Sequence, residues 1–317
     1  MSRCFVTRDL PFPALDRLRA EYEVEVWPER MPPPREQLVE GARSAEGLLC
    51  MLTDRVDSQL LEACPQLLAI SNYAVGVDNV DVAAASARGI AVGNTPGVLT
   101  EATADLTLAL MLAVLRRLRE GEAAVRGGEW LTWEPAFLLG RDLHGAGVLL
   151  IGGGRIGQSV ARRLEGFGAR VVVAGREDPL EPLLREADVV SLHCPLTEET
   201  RGLIGARELE AMRSAAVLVN TARGPIVDTA ALGHALRHGE IAGAALDVTD
   251  PEPLPAGHSL LGAPGLLVVP HVGSATYATR EAMADLAVDN LLAALRGERM
   301  PHCVNPEVYD RPTRRAP

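Results

Sequence analysis

Three glycines, Gly152, Gly154 and Gly157, stand at G-x-G-x-x-G spacing in the stretch VLLIGGGRIGQSVARRL. The apolar run before them reads as a strand and the residues after them open a helix, which is the context that makes this spacing informative. Gly152 allows a tight turn, Gly154 lets backbone N–H groups reach a pyrophosphate, and Gly157 lets the helix pack close to the strand. The helix N-terminus adds partial positive charge for an anion. This is the chemistry of dinucleotide binding. In NAD-binding units a carboxylate about 20 residues further on meets the adenosine ribose. Here the following strand runs into Gly175 and Arg176, with Glu177 and Asp178 just beyond. A guanidinium can grip a ribose 2′-phosphate through paired, charge-assisted hydrogen bonds. Arg176 therefore predicts NADPH as the preferred coenzyme, with NADH as the alternative.

The elements that must position these residues alternate along the whole chain. Strands are expected at 4–7, 22–27, 47–52 and 67–72, with helices at 13–20, 35–43 and 56–63 between them. A long, densely apolar helix is expected over about 100–126, too apolar for one exposed face and so buried against something large, such as a second subunit. A second series follows, with strands at 148–151, 170–174, 188–192, 216–220, 242–246 and 266–269. Its helices are expected at 155–167, 206–213, 228–238 and 275–296. Strand–helix alternation implies parallel sheets covered by helices on both faces. At 317 residues the chain has room for two such domains.

Composition excludes several function classes. The chain is 47% hydrophobic and 23% charged, which suits a globular enzyme and not a disordered chain. Net charge is −11 with no basic stripe, so neither nucleic acid nor an anionic membrane is an expected partner. There is no lysine; every basic residue apart from histidine is arginine. The most apolar run, LTLALMLAVL at 106–115, is too short to span a bilayer. Cys4, Cys50, Cys64, Cys194 and Cys303 are odd in number and show no CxxC spacing. That argues against a disulfide framework and against a metal site, and fits a reducing cytoplasm. The N-terminal stretch MSRCFVTRDLPF has no signal-peptide core, which points to the same location.

Several stretches together resemble the D-isomer-specific 2-hydroxyacid dehydrogenase family and, within it, the glyoxylate/hydroxypyruvate reductases. They include SNYAVGVDNVD (71–81), GIAVGNTPGVLTEATADL (89–106), the glycine turn, VSLHCPLTEETRGLIG (190–205), LVNTARGPIVD (218–228), AGAALDVTDPEPLP (242–255) and VVPHVGSAT (268–276). The resemblance covers almost the whole chain. It implies two doubly wound parallel-sheet α/β domains, a Rossmann coenzyme domain inserted into a flavodoxin-like substrate domain. The substrate domain would comprise 1–96 plus 285–317 and the coenzyme domain 97–284. It also implies a homodimer formed through the coenzyme domains and an active site in the cleft between domains. One departure stands out: the segment after Arg176 runs straight to the next strand, about a dozen residues shorter than in relatives, and the edge strand beside the adenosine pocket is expected to be missing.

The resemblance also implies a division of labour in reducing a short 2-oxo acid. Arg223, directly after an apolar strand, would grip the carboxylate or carbonyl oxygen and stabilise the developing alkoxide. His271, again at a strand end, would be the proton donor, and Glu252 would orient its ring and favour its charged form. Arg155, Ile156, Thr221 and Asp247 would join the glycines and Arg176 in holding the coenzyme, with Asp247 on the nicotinamide carboxamide. Val75 and Gly76 would cradle the substrate carboxylate, with Ser274 a further contact. Trp133 would reach the neighbouring subunit's pocket and narrow it. The expected reaction is reduction of glyoxylate and hydroxypyruvate to glycolate and D-glycerate. Another D-2-hydroxyacid dehydrogenase, such as phosphoglycerate dehydrogenase, or a dinucleotide-sensing corepressor-like scaffold, stays open on the sequence.

Overall fold

A computed structural model describes residues 2–310. Met1 and residues 311–317, which the sequence assigns to the first domain, lie outside the described residues. The chain divides into two compact units, one built from residues 2–99 and 276–310, the other from Thr100–Ala275. The boundaries expected from sequence fell at 96/97 and 284/285. The second differs because the helix Tyr277–Leu295 is a single element of the first unit. Its Leu291 and Leu295 reach β-strand residue Gly47, and its Ala287 carbonyl accepts the Ser71 hydroxyl at 2.8 Å.

The first unit holds five strands: β1 Arg3–Val6, β2 Glu23–Val26, β3 Gly47–Cys50, β4 Ala69–Asn72 and β5 Ala91–Gly93. All pair in parallel in the order β2-β1-β3-β4-β5. This is the flavodoxin-type order 2-1-3-4-5. β3 and β4 are buried along their whole length, which explains why they read as continuous apolar runs and not as alternating ones. β2 lies at the edge and alternates between exposed and half-buried residues.

The second unit holds six parallel strands: β6 Gly147–Ile151, β7 Arg170–Ala174, β8 Val189–Leu192, β9 Val217–Asn220, β10 Gly243–Leu246 and β11 Leu266–Val268. Their order is β11-β10-β9-β8-β6-β7. It is the dinucleotide-binding order 3-2-1-4-5-6 without its outermost strand on the adenosine side and with one further strand, β11, at the opposite edge. The chain leaves β7, forms only the short helix Leu180–Glu186, and enters β8. β7 is therefore an edge, and Val172 and Val173 are 48% and 43% exposed. Helices Thr100–Leu115 and Arg155–Gly166 cover one face of the sheet. Leu180–Glu186, Ala206–Ala211 and Thr229–His238 cover the other.

The single helix expected over 100–126 is two helices, Thr100–Leu115 and Leu118–Arg126. At the break Arg117 takes a left-handed conformation with φ 52°. The Leu115 carbonyl accepts the Arg141 amide at 2.9 Å, so the helix loses that acceptor to a residue far along the chain. Among the described residues no helix is long and apolar enough to cross a membrane.

Candidate active site

Because all six strands of the second unit are parallel, their C-terminal ends share one edge of the sheet, where ligands bind in open α/β sheets. Gly152 follows β6, Arg176 follows β7, Thr221 and Arg223 follow β9, Asp247 follows β10, and His271 follows β11. The three glycines of the turn differ in what a side chain would meet. Gly152 has φ 109°, and a Cβ there would meet the Cys194 amide nitrogen at 2.6 Å. A Cβ on Gly157 would lie 2.2 Å from the Gly152 carbonyl oxygen. Around a Cβ on Gly154 there is open space. The helix Arg155–Gly166 starts here, and its first regular backbone bond runs from Gln158 N to the Gly154 carbonyl at 2.9 Å. The amides of Gly154, Arg155, Ile156 and Gly157 therefore have no acceptor among the described residues. An open cradle lined by free N–H groups at a helix N-terminus fits a pyrophosphate. Ile156 packs its side chain into the core, so its amide is what it offers a ligand. Arg155 is exposed.

Arg176 is exposed at the end of β7. Two carboxylates lie near it. Asp178 folds back so that its Oδ2 accepts the Gly175 amide at 2.7 Å. The Glu199 carboxyl is held below its ordinary value, mainly by the Thr197 hydroxyl and to a smaller extent by the Arg176 charge.

Beyond β9, the Asn220 side chain stitches the turn: its Nδ2 donates to the Arg223 carbonyl at 2.8 Å and its Oδ1 accepts the Ala222 amide at 3.0 Å. Arg223 is extended and half-buried, and its Nη1 donates to the Ala222 carbonyl at 2.8 Å. Gly224 comes next, and a Cβ there would fall 1.9 Å from the Thr249 carbonyl oxygen. Only glycine allows the Arg223 turn to press this closely against the loop that carries Glu252. That loop is fixed in turn: Thr229 Oγ1 donates to the Asp250 carbonyl and Thr249 Oγ1 to the Pro251 carbonyl, both at 2.8 Å. Glu252 Oε1 meets His271 Nδ1 at 2.5 Å. His271 Nε2 makes no hydrogen bond to any described residue.

His271 itself has φ 53°, an unusual conformation for a residue with a Cβ and one found where a site demands it. Asp247 holds it there. The His271 amide donates to the Asp247 carbonyl at 2.8 Å, while the Asp247 carboxylate accepts the amides of Val272 at 2.6 Å and Gly273 at 2.9 Å. Asp247 is 2% exposed, and burial raises its carboxyl above the ordinary value against the pull of those amides and of His271. Ser274 lies in the same turn, half-buried. Thr221 Oγ1 shares a 3.0 Å hydrogen bond with Thr107 Oγ1 of the helix Thr100–Leu115.

Arg223, Glu252, His271, Asp247 and Thr221 thus come from loops after three neighbouring strands of one sheet. Val75 and Gly76 belong to the first unit, in the turn after β4. Trp133 lies in the loop after the helix Leu118–Arg126 and is 80% exposed. Of the other histidines, His193 is half-buried, with its Nε2 on Ser191 Oγ at 2.9 Å, and desolvation lowers it to about 4. It is neutral near pH 7 and has no proton to give as an imidazolium. Among the described residues no cluster of His, Cys, Asp and Glu could hold a metal ion. Sequence reasoning missed Gly224, Asn220 and Thr249. The GP dipeptide after Arg223 marked a turn, but nothing local announced the carbonyl that Gly224 must accommodate.

A glycine turn at a helix N-terminus and a histidine–carboxylate pair on the same sheet edge define a nicotinamide-dinucleotide oxidoreductase. Residues 108–273 match the family model for the D-isomer specific 2-hydroxyacid dehydrogenase NAD binding domain. A glyoxylate reductase of Thermococcus gammatolerans is 47% identical, with 96% of each chain covered. A crystal structure of a Thermus thermophilus protein is 52% identical with TM-score 0.91, covering 95% of this chain and 99% of that one. The NADPH-dependent glyoxylate/hydroxypyruvate reductase of Sinorhizobium meliloti, solved with NADP and malonate, is 36% identical with TM-score 0.84, covering 96% and 98%. The chain belongs to the D-isomer-specific 2-hydroxyacid dehydrogenase family.

Proposed function

We propose that the protein reduces glyoxylate and hydroxypyruvate to glycolate and D-glycerate, preferring NADPH to NADH. The observation that carries this reading is the His271–Glu252 pair, which occupies Nδ1 and leaves Nε2 unbonded on the edge that also bears the glycine turn. The names of the similar enzymes support it. When bound, the reduced nicotinamide supplies the hydride. The amides at the start of the helix Arg155–Gly166 hold the pyrophosphate, with Thr221 and Asp247 beside the nicotinamide end. The amides of Val75 and Gly76 bind the substrate carboxylate, and Ser274 is a further contact. The Arg223 guanidinium binds the carbonyl oxygen and stabilises the charge that grows there. His271 Nε2 gives its proton to that oxygen as the carbon is reduced, and Glu252 stabilises the imidazolium and fixes its orientation. Mixing protein, NADPH and each of a panel of short 2-oxo acids, and following the loss of reduced-nicotinamide absorbance, tests the reading. Absence of turnover across the panel would end it.

Coenzyme preference rests on Arg176 binding the 2′-phosphate. Asp178 and Glu199 bring carboxylates to the same neighbourhood, so the preference is a ratio and not an exclusion of NADH. Arg176→Asp should lower the NADPH-to-NADH ratio of kcat/KM by roughly ten- to a hundredfold, the range of one or two charge-assisted hydrogen bonds. An unchanged ratio removes Arg176 from the account.

The protein acts as a homodimer in the cytoplasm on this reading. Leu131 and Trp133 are 86% and 80% exposed, with Trp130 and Leu139 also well exposed in the same loop, and large apolar side chains left exposed in one segment suit an interface. Trp133 enters the partner's substrate pocket. Sedimentation equilibrium should give twice the chain mass, and a monomer at micromolar concentration would contradict it. All five cysteines are free thiols, which suits a reducing compartment.

A further inference from the structure

The turn Ala74–Val75–Gly76–Val77 follows β4 in the first unit, and its hydrogen bonds are one-sided. The Ala74 carbonyl accepts the Thr95 amide at 2.9 Å. The Val75 carbonyl accepts Asn94 Nδ2 at 2.7 Å, and the Gly76 carbonyl accepts Asn72 Nδ2 at 2.8 Å. Three consecutive carbonyls are therefore tied down. A trans peptide unit is planar, with its C=O and the next residue's N–H pointing opposite ways. Fixing those carbonyls turns the amides of Val75, Gly76 and Val77 away from their tethers. None of the three donates to an acceptor among the described residues. They are half-buried, so a ligand can reach them.

The tethers are themselves braced. Asn72 is fully buried. Its Nδ2 also donates to Asn79 Oδ1 at 3.0 Å, and its Oδ1 accepts Asn79 Nδ2 at 3.2 Å. Asn79 Nδ2 reaches the carbonyls of Met51 and Asp54, each at 3.0 Å. The buried Asp54 carboxylate closes the set, accepting the Met51 amide at 2.7 Å and the Thr7 hydroxyl. Asn94 is anchored independently, because Asn290 Nδ2 donates to its carbonyl at 2.9 Å. These side chains sit at the last residue of β4 and in the loops after β1, β3, β4 and β5, so the C-terminal edge of the sheet converges on one turn.

We infer that Asn72, Asn79 and Asn94 are positioning residues that hold the Val75, Gly76 and Val77 amides as a neutral three-donor receptor for the carboxylate of the 2-oxo acid. This rests on the proposed reaction for the identity of the ligand and extends it by Val77 and by the asparagines that aim the amides. Successive N–H groups without intervening carbonyls form an anion-binding concavity. Such a receptor acts on ground-state binding of the carboxylate and not on the reacting carbonyl, so its loss belongs in KM and not in kcat.

The test uses Asn94→Ala, whose backbone stays held by Asn290, and Asn79→Ala, which unbraces Asn72 from a half-buried position. For Asn94→Ala the KM for glyoxylate should rise roughly ten- to a hundredfold, with kcat within about threefold and the coenzyme KM unchanged. Oxamate, a carboxylate probe that is not reduced, should bind more weakly by the same factor in calorimetry with coenzyme saturating. Asn79→Ala should move both quantities in the same direction by less. A fall in kcat together with a rise in coenzyme KM, at unchanged oxamate affinity, would mean a merely structural role and overturn the inference. Unweakened oxamate binding in both folded variants would overturn it too, while leaving the reaction untouched. A wild-type protein that binds oxamate in an Asn94-dependent way yet reduces no 2-oxo acid would sink the proposed reaction and leave the receptor supported.

Discussion

His271→Gln should lower kcat for glyoxylate by roughly 10²- to 10⁴-fold, with coenzyme binding unchanged. Glutamine can still offer an N–H to the carbonyl oxygen, but an amide has no proton to give up near neutral pH. The loss therefore isolates proton transfer from hydrogen bonding. No other histidine of the second unit's strand ends can substitute: His193 is sequestered on Ser191 and lowered by burial to about 4. The geometry also ranks the partner. Glu252 touches Nδ1, the nitrogen that does not face the reaction in this scheme. Glu252→Gln keeps a hydrogen-bonding group there and removes only its charge, so its kcat should fall less than that of His271→Gln. Steady-state kinetics at saturating substrate and coenzyme read both. A His271→Gln enzyme within about threefold of wild-type kcat would remove His271 as the proton donor.

The glycine turn was legible in the sequence because each of its requirements is local. Gly157 must avoid the Gly152 carbonyl, and both lie in one strand–turn–helix unit whose spacing is fixed. The same holds for the order of strands and helices, which apolar runs and turn residues record directly. β5 and the helices Val82–Ala87 and Leu180–Glu186 escaped: they are three to seven residues long and lie in stretches rich in glycine, alanine or proline, with no long apolar run to set them off. Runs that short carry no usable period. The break at Arg117 depends on Leu115 accepting the Arg141 amide, a partner that no window around the helix contains. The missing outer strand could be anticipated because the connection after Arg176 is visibly short; the exposure of Val172 and Val173 is its consequence. The asparagines at the ends of β4 and β5 gave no signal, since apart from the Asn72–Asn79 pair the groups they bind are peptide carbonyls, which every residue has. Arg223, Glu252 and His271 became candidates through family resemblance, because periodicity cannot tell a functional histidine at a strand end from one in solvent.

Arg223 poses the sharpest test of placement against chemistry. Arg223→Gln should cost roughly 10²- to 10³-fold in kcat, the loss expected when a preorganised donor to a developing oxyanion is removed. Gly224→Ala should lower kcat/KM by about 10²-fold with the guanidinium still present. A methyl group there collides with the Thr249 carbonyl at 1.9 Å, and the overlap can be relieved only by moving the Arg223 turn or the loop bearing Glu252. A displacement of about 1 Å in catalytic geometry is enough for a loss of that size. The same overpacking should destabilise the fold by about 1–3 kcal/mol or more, seen as a lower Tm. The two variants differ in what each leaves intact. Arg223→Gln should lower the Tm less than Gly224→Ala, because the Asn220 bonds that hold this turn use its backbone and stay intact. A Gly224→Ala protein that unfolds at lower temperature yet retains wild-type kcat/KM at assay temperature would show that close contact between these two loops serves folding alone, and that Arg223 needs no such support to do its work.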